Sequence, residues 1–273
     1  MGHGKLLKFA QNETFSCLLQ PSSEELLADG YFNLKDHSIK GEWKNFFKDA
    51  LHPDSLVLEL GCGKGEYTVD LASRNPESCY VGVDIKGARL WKGAKYATEN
   101  KMSNVGFLRT RIEFINAFFG KDEVDQIWLT FSDPQLKSEN SRLTSPLFLE
   151  RYRKFLKPGG IVHLKTDSRF LHEYTKAVCA VNGFEVIACT SDLYGGSETL
   201  EESAFCGREL APEVREVKTF YEKMSLKQGF KITYLAFRID GTSPVVKPSD
   251  PAQFDSKMWR SLEEPRHFCG LSQ

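Results

Sequence analysis

An α/β fold, with a doubly wound, mostly parallel sheet covered by helices on both faces, follows from three features of this 273-residue sequence. Compact apolar runs recur from residue 55 to residue 239, and segments of helical length and period separate them. The first run ends in closely spaced glycines, which a strand-to-helix turn requires. The second run ends on an acid, at the sheet edge where such folds bind ligands.

Residues 1–50 lack this alternation and read as an N-terminal extension. Within it, Gly41–Phe47 has the pattern of a short amphipathic helix leading into the core. The alternating domain spans 51–240. SLVLEL (55–60) is an apolar run without polar alternation, as in a buried parallel strand. A helix over 65–74 follows, then strand 79–85, helix 86–100, strand 105–109, helix 111–119 and strand 124–131. A helix over 146–156 runs to Lys157-Pro158-Gly159-Gly160, a turn signal. Strand 161–166, helix 168–181 and strand 184–190 come next, and 230–239 supplies a late strand. Residues 191–218 read as a loop with a helix. The polar, proline-containing tail 241–273 reads as loosely ordered.

Composition narrows the function class. The chain carries 36 basic and 37 acidic residues, so it lacks the basic excess of many nucleic-acid binders, and an RNA partner would need a local basic patch. The seven cysteines form no C-x-x-C pair and the six histidines show no zinc spacing, so no metal site is expected. No stretch approaches the roughly 20 apolar residues of a membrane span, and the first residues lack a sustained apolar region. A cytoplasmic protein with reduced thiols is expected, as a monomer or homodimer.

The chemistry starts at Glu59-Leu60-Gly61-Cys62-Gly63-Lys64-Gly65. Alternate glycines let a ligand lie against bare backbone at a helix N-terminus. The spacing is G-x-G-x-G, not the dinucleotide G-x-G-x-x-G, which argues against a dehydrogenase. Asp84, at the end of the next strand, can accept from both hydroxyls of an adenosine ribose. Glu59 favours a cationic cofactor and would repel a pyrophosphate. S-adenosylmethionine combines an adenosine with a sulfonium and carries no phosphate, so it is the expected cofactor. The plainer alternative is a turn with an acidic cap.

Over about residues 55–238 the sequence resembles the bacterial tRNA (guanine-N7)-methyltransferases, which are class I enzymes with a Rossmann-like sheet. The resemblance is carried by LELGCGKGE (58–66), GVDIKGAR (82–89), NVGFLRT (104–110), FSDPQLK (131–137), LKPGGIVHLKTD (156–167) and TFYE (219–222). It implies methyl transfer to guanine N7 in tRNA, at position 46 of the variable loop. The cofactor contacts it implies are Glu59, Gly61, Gly63, Asp84, Ile85, Arg111 and Asp133. It makes Asp133 catalytic and assigns Lys137, Asp167, Thr219, Phe220, Tyr221 and Glu222 to the tRNA. Where the family has Pro-Asp-Pro-Trp and a dense basic run, this chain has Ser132-Asp133-Pro134-Gln135, and only Lys137 and Arg142 remain of that run. RNA binding is therefore expected to depend only weakly on salt. Arg111 stands where an acid or amide is usual, so only its backbone is left to contact adenine.

Several of these residues also have plain structural readings. Asp133-Pro134 could simply begin a loop, Asp167 could cap a helix, and Thr219–Glu222 could form a capping box. Arg151–Lys154 is the densest basic cluster and reads equally as a solvated helix face. His163 reads as a satisfied core histidine. A small-molecule methyltransferase would keep the glycine loop and Asp84 without needing Lys137 or 219–222. A non-catalytic RNA-binding protein on the same scaffold would have lost cofactor binding.

Overall fold

The computed structural model describes residues 3–27, 30, 33–195 and 210–262. The chain begins with α1 (His3–Asn12), β1 (Leu18–Leu19), α2 (Ser23–Leu26) and α3 (Trp43–Phe46). The alternation follows as β2 (Leu56–Leu60), α4 (Glu66–Arg74), β3 (Cys79–Asp84), α5 (Gly87–Glu99), β4 (Val105–Arg109) and β5 (Val124–Thr130). Then come α6 (Pro146–Tyr152), β6 (Leu156–Thr166), α7 (Arg169–Asn182), β7 (Val186–Thr190), α8 (Pro212–Glu216), α9 (Phe220–Lys227), β8 (Thr233–Arg238) and α10 (Ser256–Leu262).

The strands form one eight-stranded sheet in the order β1-β4-β3-β2-β5-β6-β8-β7. All pairings are parallel except the two made by β8. From β2 the chain winds outward through β3 and β4, then returns to place β5 on the other side of β2. That reversal opens a crevice at the C-terminal ends of β2 and β5, where an open α/β sheet binds ligands.

Side chains alternate along each strand, and helices bury both faces. Leu56, Leu58 and Leu60 of β2 join Val81, Val83, Ile127 and Leu129 in one core. Val57 joins Tyr80, Phe107 and Trp128 in the other. Residues before β2 enter both cores: Trp43 and Phe47 pack into the first and Leu18 into the second. His163 of β6 lies buried in a stack with Trp128, ring centroids 4.1 Å apart, and its Nδ1 is 2.8 Å from Tyr234 Oη. It is the satisfied core histidine that the sequence suggests. Burial pushes its pKa down to about 3 and keeps the ring neutral.

Three expectations change. Residues 111–119 hold a 3₁₀ helix (Ile112–Ala117) in place of an α-helix. Lys157–Gly160 does not precede the fifth long strand but lies inside it: β6 starts at Leu156, pairs with Val124, bulges, and resumes pairing at Ile161. A bulge absorbs the Pro-Gly-Gly segment because the strand is exposed there. The described part of the tail, residues 241–262, is also more ordered than its polarity suggests. Phe254 and Trp259 are buried, and the Trp259 ring meets Phe170 edge-on at 5.4 Å. Two aromatic anchors are enough to hold an otherwise polar segment. Half of the expected loop 191–218, residues 196–209, lies outside the described residues.

Trp259→Ala should destabilise the protein by about 3 kcal/mol, the usual cost of removing a buried aromatic ring. Urea unfolding at neutral pH measures the loss. A change below about 0.5 kcal/mol, the range of surface substitutions, would mean that the tail contributes nothing to the core.

Candidate active site at the sheet switch point

The crevice is a cleft of about 970 Å³ whose walls come from the ends of β2, β3, β5 and β6 and from the start of α9. Glu59, Gly61, Gly63, Asp84, Ile85, Arg111, Asp133, Asp167, Thr219, Phe220 and Tyr221 all line it. Lys137 and Glu222 do not.

Glu59 lies one residue before the end of β2 and is buried. One carboxylate oxygen accepts from the Thr68 backbone N–H at 2.9 Å and from the Thr68 hydroxyl, and the other accepts from the Thr130 hydroxyl. The side chain thus ties β2 to the first turn of α4 and to the end of β5. Burial pushes its pKa from the ordinary 4.5 up to about 7, with the threonine hydrogen bonds opposing the rise. A cation placed in the cleft would draw it back down.

The glycine loop follows directly. Gly61 and Gly63 adopt φ of +82° and +58°, and a Cβ on either would meet only open space. The loop therefore turns bare, left-handed backbone toward the cleft, where a side chain would be strained. Gly65, the left-handed N-cap of α4 at φ +69°, has a further constraint: its Cβ would lie 2.4 Å from Phe107 Cε1. Asp84 braces the loop from β3, accepting from Gly63 N–H at 3.0 Å and from Lys86 N–H at 2.7 Å. Each of its oxygens keeps a lone pair for a ligand. Ile85, just beyond, is an exposed apolar side chain on the cleft wall. The Arg111 guanidinium turns to Glu113 at 3.5 Å and lies over the Phe114 ring.

The opposite wall begins at the end of β5. Asp133 is exposed, and its Oδ1 accepts from Gln135 N–H at 2.9 Å. This is an Asx turn, so the loop-start reading is correct, and Asp133 still lines the cleft. Asp167 follows β6. It does not cap α7: the cap is Ser168, whose hydroxyl accepts from Leu171 N–H at 3.2 Å. Asp167 instead accepts from the Ser225 hydroxyl at 2.7 Å, joining β6 to α9.

The Thr219–Glu222 segment divides by role. Thr219 caps α9, with Oγ1 accepting from Glu222 N–H at 3.0 Å. The Glu222 carboxylate does not turn back to complete a capping box. It is fully buried and pairs with the equally buried Lys165 of β6 at 2.8 Å, while also accepting from the Tyr194 hydroxyl. Lys165 donates at 2.9 Å to the Val217 carbonyl as well. Burial pushes the Lys165 pKa down, and the Glu222 carboxylate opposes the shift. Phe220 and Tyr221 face the cleft, and the Lys64 ammonium sits 4.8 Å above the Phe220 ring. Lys137 is exposed and, among the described residues, makes no ion pair. Sequence reasoning missed several cleft residues, among them Thr130, Tyr67 and Ser132. The buried Tyr67 Oη and Ser132 Oγ have no protein partner among the described residues. Their one sequence signal is position, in the first turn after the glycine loop and at the end of β5.

These donors suit the expected cofactor. The acids Glu59, Asp84, Asp133 and Asp167 and the bare glycine backbone favour a cationic ligand with ribose hydroxyls, and the orphaned hydroxyls supply further polar contacts. A doubly wound sheet with this cradle at its switch point defines a class I methyltransferase, an enzyme class that uses S-adenosylmethionine. Residues 53–197 match the family described as "Putative methyltransferase". A tRNA (guanine-N(7)-)-methyltransferase of Christiangramia forsetii is 47% identical over 86% of this chain and 97% of its own. Its counterpart in Bacteroides thetaiotaomicron is 42% identical over 93% of both chains. The chain belongs to the tRNA (guanine-N(7)-)-methyltransferase family. Among solved structures, the 16S rRNA methyltransferase KamB superposes with a TM-score of 0.52 at 16% identity, over 76% of this chain and 95% of that one, a likeness of fold.

The raised Glu59 pKa makes stability depend on pH in a definite direction. Between pH 4.5 and about 7 the folded protein holds the Glu59 proton that the unfolded chain has lost, so stability falls as pH rises through this window. A shift of this size corresponds to roughly 3 kcal/mol. Glu59→Gln should remove that component, so its stability relative to the parent should rise from pH 4.5 to 7.5. Subtracting the two urea-unfolding profiles cancels the opposite contribution of the buried histidines. A flat difference would show that Glu59 is ionised throughout.

Proposed function

We propose that this protein transfers a methyl group from S-adenosylmethionine to N7 of a guanine in tRNA, with Asp133 acting on the reacting groups. The observation that carries this reading is the union of two half-sites in one cleft. Glu59, the glycine loop and Asp84 form one half, and Asp133, Asp167 and Thr219–Tyr221 form the other. The family membership supports both halves.

When bound, the cofactor supplies an electrophilic methyl group on a sulfonium. Glu59, Gly61, Gly63, Asp84, Ile85 and the Arg111 backbone would hold it. Guanine N7 presents an in-plane lone pair and carries no proton, so no residue has to act as a base there. What remains for the protein is alignment and electrostatics. The guanine becomes cationic as it is methylated, and the second oxygen of Asp133 would accept from a guanine N–H or a cofactor ammonium and stabilise that charge. Asp167, Thr219, Phe220 and Tyr221 would hold the nucleotide. Lys137, exposed beyond the Asp133 turn, would meet the RNA backbone. Glu222 would serve the site from beneath, by fixing α9 through Lys165. The reading places the protein with its substrate in the cytoplasm, as a monomer or homodimer.

Incubation with labelled S-adenosylmethionine and bulk tRNA, followed by nucleoside analysis, should yield 7-methylguanosine. Label in 1-methylguanosine or in a small metabolite would overturn the substrate assignment. Asp133→Asn keeps the Asx turn and removes only the charge. It should lower kcat by about 10²-fold while leaving affinity for the demethylated cofactor product almost unchanged. A loss below about threefold, too small for an electrostatic role, would make Asp133 structural. Lys137→Ala should raise the tRNA KM and reduce the salt slope of binding by about one, the signature of a single phosphate contact. An unchanged slope would remove Lys137 from the interface.

A further inference from the structure

The loop that carries Asp133 is held in a conformation its own residues disfavour. Phe131 and Gln135, on either side of Asp133, adopt φ of +51° and +49°. Neither is glycine, and left-handed backbone at bulky residues persists only where the surroundings enforce it. Phe131 is fixed by its N–H to the Lys165 carbonyl at 2.9 Å. The far end of the loop is held by Arg142.

Arg142 is one of the two residues that remain of the basic run that follows Asp-Pro in the family. In the structure it is 4% exposed. Its guanidinium carbon lies 4.7 Å from the Phe170 ring centroid and 4.5 Å from that of Tyr174. Its Nε donates to the Pro134 carbonyl at 3.2 Å and an Nη to the Leu136 carbonyl at 3.1 Å. The planar fork thus bridges the two carbonyls that flank Gln135. A lysine cannot reproduce that geometry or the stacking. Both rings belong to α7, which begins two residues after Asp167, and Phe254 packs against both of them. Glu139 accepts from the Tyr174 hydroxyl at 2.9 Å and places a carboxylate near the guanidinium.

We propose that Arg142 is a positioning residue for methyl transfer, clamping the Pro134 and Leu136 carbonyls so that the Asp133 carboxylate faces the cleft. The inference rests on the role of Asp133 given above and makes a residue of the basic run a buried clamp. The clamp also joins the two substrate-side walls, because the helix that starts beside Asp167 holds the residue that fixes the Asp133 loop.

The test uses the full chain with Arg142→Ala and Arg142→Lys, reading single-turnover methylation, tRNA KM, calorimetric binding of the demethylated cofactor product, and amide exchange over 131–138. Both variants should lose about 10²-fold in kcat, the scale expected for misplacing a reacting group by about 1 Å. KM and product affinity should stay within a few-fold, and the amides of Gln135 and Ser138 should exchange faster while β2 and β5 stay protected. Added guanidinium ion should restore part of the activity of Arg142→Ala and none of that of Arg142→Lys, whose side chain still fills the slot. Three outcomes would overturn the proposal: near-normal kcat in both variants; a raised KM with a shallower salt slope, which marks an RNA contact; or product affinity and kcat falling together, which marks general damage. If Arg142→Ala does not fold, the lysine variant and the exchange data decide. If the parent protein makes no 7-methylguanosine, the functional reading fails, and exchange over 131–138 still decides whether Arg142 clamps the loop.

Discussion

Glu59 carries the constraint on which the cleft depends. Its carboxylate joins the end of β2 to the first turn of α4 and to the end of β5, the three elements that border the switch point. Because β2 and β5 are adjacent and parallel, their C-terminal ends open on the same side. The chain must then leave β2 for a helix without filling the space above it, and left-handed glycines achieve that. Asp84 fixes the loop by accepting the Gly63 N–H, so the cradle is braced from two neighbouring strands. Burying an acid in this position costs free energy, visible in its raised pKa. The cost falls where a cationic ligand would offset it, as is common for strain at functional sites.

The second wall is assembled differently. α9 leads into β8 and is docked on β6 by side chains, with Glu222 reaching down to Lys165 and Ser225 donating to Asp167. A buried ion pair of this kind adds little net stability over an apolar pair of similar size, while breaking it by removing one partner is costly. It therefore specifies position more than it stabilises. The same holds for Arg142 between Phe170 and Tyr174. Two buried cations thus position the two substrate-side segments, in a protein whose net charge is only −1.

Most of the cofactor half was legible because it is local. Glu59, the glycines and Asp84 lie at strand ends, and their chemistry follows from residue type and the order of strands. The substrate half was less legible because residue type there does not fix direction. Glu222 looks like the last residue of a capping box, yet it turns inward because an unpaired Lys165 beneath it would be intolerable. Arg142 looks like the remainder of a surface basic run, yet two rings that follow it by roughly thirty residues draw it into the core. Asp167 looks like a cap, yet the next residue takes that role and frees it to meet α9. Asp133 showed the reverse: its turn and its place on the cleft were both readable, and both are present.

By itself, the sequence determined the alternation of strands and helices, the break after β2, and the acids at the ends of β2 and β3. These follow from hydrophobic period and from glycine's freedom at positive φ, which act over a few residues. The family motifs added Asp133, Asp167 and the segment at Thr219 as one set. The tertiary structure alone decided which polar side chains face the cleft and which lie beneath it. That choice depends on desolvation and on partners distant in sequence: Lys165 with Glu222, Arg142 with the carbonyls of the Asp133 loop, and a polar tail held by Phe254 and Trp259. A buried charge goes where its partner is, and only the folded chain brings the partners together.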